Sequence, residues 1–296
     1  MKLLVTGALQ NAQSIIPILE EMGHTVFFLQ MEKDELPLEY NEVEGVICNG
    51  LFLHHSIEKF TALKYIQLTS AGTDRVPVEY ISEHGITLNT ARGVYSVPMS
   101  EFALCGVLQL YKQSKFFYKN QASRSFEKHR GVLELSGKRV GIVGCGSVGS
   151  ECAKRFSAFD CTVCGFDAFD VNNSQFDEIF NVSELEEKLP SLDIVVLTLP
   201  LTDKTYHLFD EKLLACMKQG SVLINIARGA VVDTKALTGA LETKLLGAVL
   251  DVFENEPLEK ESPLWDMENV ILTPHNSFVS ENNAKRLEKL IIANLH

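Results

Sequence analysis

Short runs rich in Val, Ile and Leu alternate with amphipathic helical segments along almost the whole chain, and this alternation restricts the fold more than any other feature. The first series reads KLLVTG, a helical stretch to Met22, TVFFL, EGVIC, a helix near Ile57 to Leu63, YIQLTS and ITLNT. Near-continuous apolar strands separated by helical segments imply a parallel sheet covered on both faces by helices. From Pro98 the pattern changes to one long helical stretch, Met99 to about Lys119. Pro98 sits in its first turn, and Ser100 and Glu101 suit a helix start. A second series follows: RVGIVG, a helix to about Phe159, CTVCGFD, DIVVLTLP, SVLINIA, GAVLDVF and VILTPH. The chain is therefore α/β, with two doubly wound parallel-sheet domains, as its 296 residues also suggest. The tail from Ser280 to His296 reads as a helix, with Leu287, Leu290 and Ile291 at helical spacing, able to fold back on the first domain.

Composition narrows the function classes. Lys and Arg number 27 against 39 Asp and Glu, a formal net charge of -12. Such a surface repels nucleic acid phosphates and anionic lipid headgroups, so neither nucleic acid nor membrane is an expected partner. No apolar run has the length of a membrane span, and Met1 to Gly7 is too short for a signal-peptide core, so a cytoplasmic location is expected. The seven cysteines, an odd number without small-scaffold spacing, suggest reduced thiols. Cys161 and Cys164 match CxxC, but in an extended run their sulfurs face opposite ways. With no second CxxC, no metal site is expected.

The chemistry concentrates where strands end. Gly144-Cys-Gly146-Ser147-Val148-Gly149 follows RVGIV and opens a helix, so its glycines let the backbone approach a pyrophosphate at a helix N-terminus. The next strand ends at Asp167, eighteen residues past Gly149, where a carboxylate meets the adenosine ribose. That carboxylate would repel a 2′-phosphate, so NAD is expected rather than NADP.

Ligands of open parallel sheets bind outside the carboxyl ends of the strands. There this chain places Leu199-Pro200, Ala227-Arg228-Gly229, Asp251 with Glu256, and His275. Singly these have ordinary uses: a solvated arginine, an acidic loop, a helix-capping histidine. Together, beside a nicotinamide, they suit hydride transfer to the carbonyl of a small 2-oxo acid. Arg228 offers a planar fork that holds a carboxylate and polarises the carbonyl. His275 as imidazolium protonates the carbonyl oxygen and takes the proton back in the oxidative direction. Glu256, bonded to the imidazole, favours its charged form and extends reduction to higher pH. Asp251 suits orienting the nicotinamide amide or the arginine. In the first domain, Ser70, Ala71 and Gly72 follow YIQLT and can present N–H groups to a substrate carboxylate. Asn89 and the Ala91-Arg92-Gly93 segment follow the next strand, and Leu51, Phe52 and Leu53 hint at an apolar side-chain pocket.

In SAGTDRVP, ARGVYSVPMSEFAL, SGKRVGIVGCGSVG, MKQGSVLINIARGAVVD, AVLDVFENEPL and ILTPH, taken in order, the chain resembles the D-isomer-specific 2-hydroxyacid dehydrogenase family, phosphoglycerate dehydrogenase-like, over nearly its whole length. The resemblance implies a flavodoxin-like substrate domain, residues 1–97 plus 277–296, with an inserted Rossmann NAD-binding domain at 98–276. It implies catalysis by Arg228, Glu256 and His275 on a D-2-hydroxy acid or its 2-oxo acid. It also implies a homodimer formed through the NAD-binding domains, with the Met99 to Lys119 helix at the interface. Formate dehydrogenases resembling this family carry an amide in place of Glu256, so formate is disfavoured. Phosphite or another small acid, and a nicotinamide-sensing corepressor-like protein, are the alternative readings. Two departures stand out: Asn276-Ser277-Phe278 replaces the commoner apolar-and-glycine continuation after His275, and relatives usually continue past the point where this chain stops.

Overall fold

A computed structural model describes residues 1–295, which divide into two compact units. Met1–Tyr95, joined by the segment from Ser280 onward, forms the first, and Ser96–Val279 the second.

The first unit has strands β1 (Lys2–Thr6), β2 (Thr25–Leu29), β3 (Gly45–Cys48), β4 (Tyr65–Leu68) and β5 (Thr87–Asn89), with helices α1 (Ala12–Glu21) and α2 (Val78–Glu83). The strands are parallel in the order β2-β1-β3-β4-β5, the flavodoxin-like arrangement. Alternate side chains feed two cores. Leu4, Val46, Cys48 and Ile66 pack on one face with Ile57, Phe60 and Leu63, and Leu3, Val5 and Ile47 pack on the other with Ile15 and Leu19 of α1. The segment near Ile57 to Leu63 is not a helix but a single 3₁₀ turn, Ile57–Lys59. Its apolar residues recur every third position, the period of a 3₁₀ turn, and all three are buried.

The second unit contributes α3 (Ser96–Tyr111), α4 (Ser114–Ser123), β6 (Arg139–Val143), α5 (Ser147–Ser157), β7 (Thr162–Asp167), β8 (Glu178–Asn181), α6 (Leu185–Lys188), β9 (Ile194–Leu197), α7 (Glu211–Cys216), β10 (Val222–Asn225), α8 (Thr234–Thr243), β11 (Gly247–Leu250) and β12 (Val270–Leu272). Its seven strands run parallel as β12-β11-β10-β9-β6-β7-β8, a Rossmann sheet whose order reverses between β6 and β9. Here too two cores lie on opposite faces, Val195 and Leu197 in one, Ile194 and Val196 in the other. Cys161 and Cys164 fall in different cores, as extended geometry requires, and all seven cysteines are free.

The single helix expected over Met99 to Lys119 is two. α3 begins at Ser96 and stops at Tyr111; Gln113, at φ +56°, interrupts the helical path before α4 starts. α3 is pinned by Ala103, Val107 and Tyr111, whereas α4 buries no residue. Instead Lys115 Nζ donates to the carbonyls of Met267 and Val270, tying α4 to the edge strand β12. β8 and α6 were not legible because their apolar residues are too few to set a period.

From Ser280 the chain rejoins the first unit, where α9 (Asn283–Leu295) buries Leu287 and Ile291 against the Leu3, Val5 and Ile15 core. His296 lies outside the described residues. Among those described, no helix is long and apolar enough to cross a membrane.

Candidate active site

The fingerprint loop has the close contacts its glycines predict. Gly144 lies at φ +103°, and a Cβ there would press on the Thr198-Leu199 backbone at 2.9 Å. A Cβ at Gly149 would collide with the Gly144 carbonyl. At Gly146, the residue before α5, a Cβ would meet nothing within 4 Å, so the space over the helix start is open to a phosphate. Ser147, Val148 and Gly149 form that first turn. Asp167 ends β7 partly exposed; its Oδ2 accepts from the Cys145 amide at 2.8 Å and its Oδ1 from the Phe169 amide at 3.2 Å. The carboxylate is thereby held against the glycine loop. Cys145 escaped the sequence reading: its amide fixes Asp167, and burial pushes its thiol up to about 12. Thr198 was also missed; its hydroxyl donates to the Gly144 carbonyl at 2.7 Å, tying the β9 exit to the loop. Leu199 is buried and Pro200 exposed.

At the β10 exit, Asn225 organises the arginine turn. Its Oδ1 accepts from the Ala227 amide at 3.1 Å and its Nδ2 donates to the Arg228 carbonyl at 3.0 Å. Arg228 Nη1 donates to the Ala227 carbonyl at 2.8 Å. Gly229 admits no side chain, because a Cβ would run into the Phe253-Glu254 backbone. The two turns are therefore in direct backbone contact.

At the β11 exit, Asp251 is fully buried, and its carboxylate accepts from Thr273 Oγ1 at 2.6 Å, the Asn276 amide at 2.8 Å and the Ser277 amide at 2.9 Å. Its carbonyl accepts the His275 amide at 2.7 Å. The carboxylate thereby braces the segment that carries the histidine. His275 is held at φ +51°, a left-handed conformation that costs a non-glycine residue about 1 kcal/mol or more. Its Nδ1 donates to Glu256 Oε2 at 2.8 Å, while Glu256 Oε1 accepts from the Phe253 amide at 3.1 Å. A carboxylate only accepts, so Nδ1 carries the proton and Nε2 is left for chemistry. The Phe278 ring stands edge-on to the imidazole, centroids 6.0 Å apart. Arg228, Glu256 and His275 thus sit at the exits of three adjacent strands, β10, β11 and β12.

In the first unit, the Ser70–Gly72 loop follows β4. Ser70 Oγ donates to the Gly72 carbonyl at 2.9 Å, and the Tyr95 hydroxyl bonds to the Thr69 carbonyl. Of the apolar residues expected to form a side-chain pocket, Leu51 is buried in the core and Phe52 packs against it; only Leu53, 62% exposed, is presented outward. Arg92 and Gly93 are exposed and Asn89 is half-buried. Among the described residues no His, Cys, Asp and Glu cluster has metal-binding geometry.

The family model for the D-isomer specific 2-hydroxyacid dehydrogenase, NAD binding domain, matches residues 104–277. The chain belongs to the D-isomer specific 2-hydroxyacid dehydrogenase family. Within it, the chain is 32% identical over 292 residues to the D-3-phosphoglycerate dehydrogenase of Methanocaldococcus jannaschii, covering 96% of this chain and 55% of that one. The chain thus spans little more than half the length of that relative. It is 36% identical over 246 residues to the glyoxylate reductase of Thermofilum pendens, covering 79% of this chain and 71% of the relative. The crystal structure of a glyoxylate reductase from Paecilomyes thermophila superposes on it with TM-score 0.85 at 26% identity, over 100% of this chain and 94% of that one.

Proposed function

We propose that this 2-hydroxyacid dehydrogenase family member interconverts a small D-2-hydroxy acid and its 2-oxo acid with NAD as hydride carrier. The observation that carries the reading is the 2.8 Å pairing of His275 with Glu256, on the strand edge that also bears Arg228 and the glycine fingerprint. The fit of the cofactor rests on the open space at Gly146, the α5 N-terminus for its pyrophosphate and the Asp167 carboxylate for its ribose hydroxyls. Leu199, Pro200 and Ala227 complete that lining. When bound, the nicotinamide supplies or accepts the hydride.

The chain's own residues do the rest. Arg228 holds the substrate carboxylate and polarises the neighbouring carbonyl. In the first unit, the Ser70, Ala71 and Gly72 loop offers backbone N–H groups of the kind that bind a carboxylate. His275 gives the Nε2 proton to the carbonyl oxygen as hydride reaches the carbon, and recovers it in the oxidative direction. Glu256 compensates the imidazolium charge. Asp251 keeps His275 in place. Reduction consumes one 2-oxo acid, one NADH and one proton, and returns the 2-hydroxy acid and NAD⁺.

A homodimer through the NAD-binding units is part of the reading. Phe126, 98% exposed, and the neighbouring Tyr118 and Phe117 present apolar surface that a second copy would cover. The free thiols accord with a cytoplasmic location. The test is NADH oxidation by the purified chain against a panel of 2-oxo acids, with NADPH in parallel. His275→Ala is expected to abolish turnover while NADH binding persists; wild-type turnover in that variant refutes the acid/base role.

A further inference from the structure

The turn after β9 carries a histidine that the mechanism leaves unused. His207 lies at φ +47°, its Nε2 donates to Glu254 Oε2 at 2.8 Å and its Nδ1 is 4.0 Å from Asp233 Oδ2. The Tyr206 ring stacks on the imidazole, centroids 4.1 Å apart. Glu254 spends its other oxygen on the Thr234 amide at 2.8 Å. One carboxylate therefore receives donors from the turn after β9 and from the start of α8, the helix following the arginine turn. The main chain runs along the same seam: the His207 amide donates to the Ala230 carbonyl at 2.8 Å, Phe209 to Val231 at 3.0 Å and Asp233 to Phe209 at 3.1 Å. Two residues past Glu254, Glu256 holds His275, and the Phe253-Glu254 backbone is the surface against which Gly229 packs.

We infer that His207 and Glu254 form a positioning clasp, locking the turns after β9, β10 and β11 into one body so that Arg228 and Glu256 keep their places. Neither residue touches the reacting atoms. A charged acceptor with two donors is a strong, directional joint. Burial would raise the Glu254 carboxyl, but the Thr234 and His207 bonds outweigh it and hold the group below the usual carboxylate range. Asp233 caps α8 through its Oδ1, which accepts the Ala236 amide at 2.9 Å, and its Oδ2 stands 4.0 Å from His207 Nδ1, beyond hydrogen-bond distance, so Glu254 is the carboxylate that bonds the imidazole. Loss of the His207 donor leaves Glu254 anchored only at α8 and frees the β9 turn from the segment bearing Glu256.

The inference rests on the proposed 2-oxo acid reduction, and its test separates the two. Wild type, His207→Phe and His207→Gln are compared in the full chain by amide hydrogen exchange and by the pH dependence of kcat and KM on the 2-oxo acid reduced best. His207→Phe is expected to raise exchange at Thr234 and Glu254 through Glu256, and to lower kcat by on the order of tenfold to a hundredfold. It also moves the acid/base limb of the pH profile, with NADH affinity within twofold of wild type. His207→Gln, which keeps a donor, recovers most of both. Unchanged exchange at those amides overturns the clasp whether or not turnover is found. An unmoved pH limb, or equal impairment by Phe and Gln, reduces His207 to a merely structural residue and overturns it as well. Wild type that binds NADH but reduces no 2-oxo acid defeats the reaction instead, and exchange alone then decides the clasp.

Discussion

Replacing Asp251 by Ala removes a carboxylate that is wholly buried and accepts three hydrogen bonds, from Thr273 Oγ1, the Asn276 amide and the Ser277 amide. The three do not cost the same. Asn276 is exposed and Thr273 half-exposed, so water can replace the carboxylate at both, whereas Ser277 is 4% exposed and its amide would be orphaned. An orphaned buried donor costs about 1–3 kcal/mol, and losing hydrogen bonds to a charged acceptor adds about 1.5–3 kcal/mol, offset in part by no longer burying the charge. The net expectation is about 3 kcal/mol. At an m-value near 3 kcal/mol/M the urea midpoint then falls by about 1 M. The effect on turnover follows from His275, whose left-handed backbone is fixed by the Asp251 carbonyl and by the two amides that follow it. Relaxation of this turn by about 1 Å lowers kcat about 100-fold. Asp251→Asn keeps one acceptor oxygen but turns an amide NH₂ towards a donor, so an intermediate loss, about 1–2 kcal/mol, is expected. Urea unfolding by fluorescence and NADH oxidation at 340 nm read both quantities. An Asp251→Ala protein with wild-type midpoint and wild-type kcat would refute the argument that this carboxylate holds the histidine segment.

Three further outcomes follow from the geometry. Asp167→Ala removes the charge facing the ribose edge, so the NADH-over-NADPH preference in kcat/KM should shrink by at least tenfold; an unchanged ratio means that another group discriminates. Burial pushes the thiols of Cys145 and Cys152 up to about 12 and that of Cys161 up to about 11, so iodoacetamide at pH 8 should label exposed Cys105 and partly exposed Cys216 first. Mass spectrometry showing early Cys145 modification contradicts this. Burial alone would raise Asp193, but Lys218 Nζ at 2.7 Å and the Arg139 amide at 2.9 Å hold its folded pKa below the ordinary 3.8. Its contribution is therefore present above about pH 4 and is lost as pH falls through the lower folded value. Asp193→Asn should flatten the acid limb of the stability curve; an identical limb would show that the pair adds nothing.

Much of the molecule could be read from one dimension because its signals are local. Parallel strands buried on both faces need unbroken Val and Ile runs, so the eleven apolar runs coincide with eleven of the described strands, and only β8, four residues with one apolar side chain to each face, Ile179 and Phe180, left no trace. The glycines of 144–149 and the carboxylate at 167 announce themselves because the βαβ unit confines them to fixed spacing. Strand exits named Arg228, Glu256 and His275 for the same reason: in a parallel sheet every strand points its carboxyl end to one side.

What lies between elements was not legible, because it depends on partners distant in sequence. Whether 99–119 is one helix or two turned on a left-handed Gln113 and on Lys115 reaching carbonyls some 150 residues away. Which apolar residue of Leu51 to Leu53 faces outward depended on how the 3₁₀ turn there seats on the core. Asp251 illustrates the division best. Its place at a strand exit is a property of the pattern, but its three hydrogen bonds to the Thr273–Ser277 segment join residues more than twenty positions apart, which only the fold brings beside a buried carboxylate in need of donors.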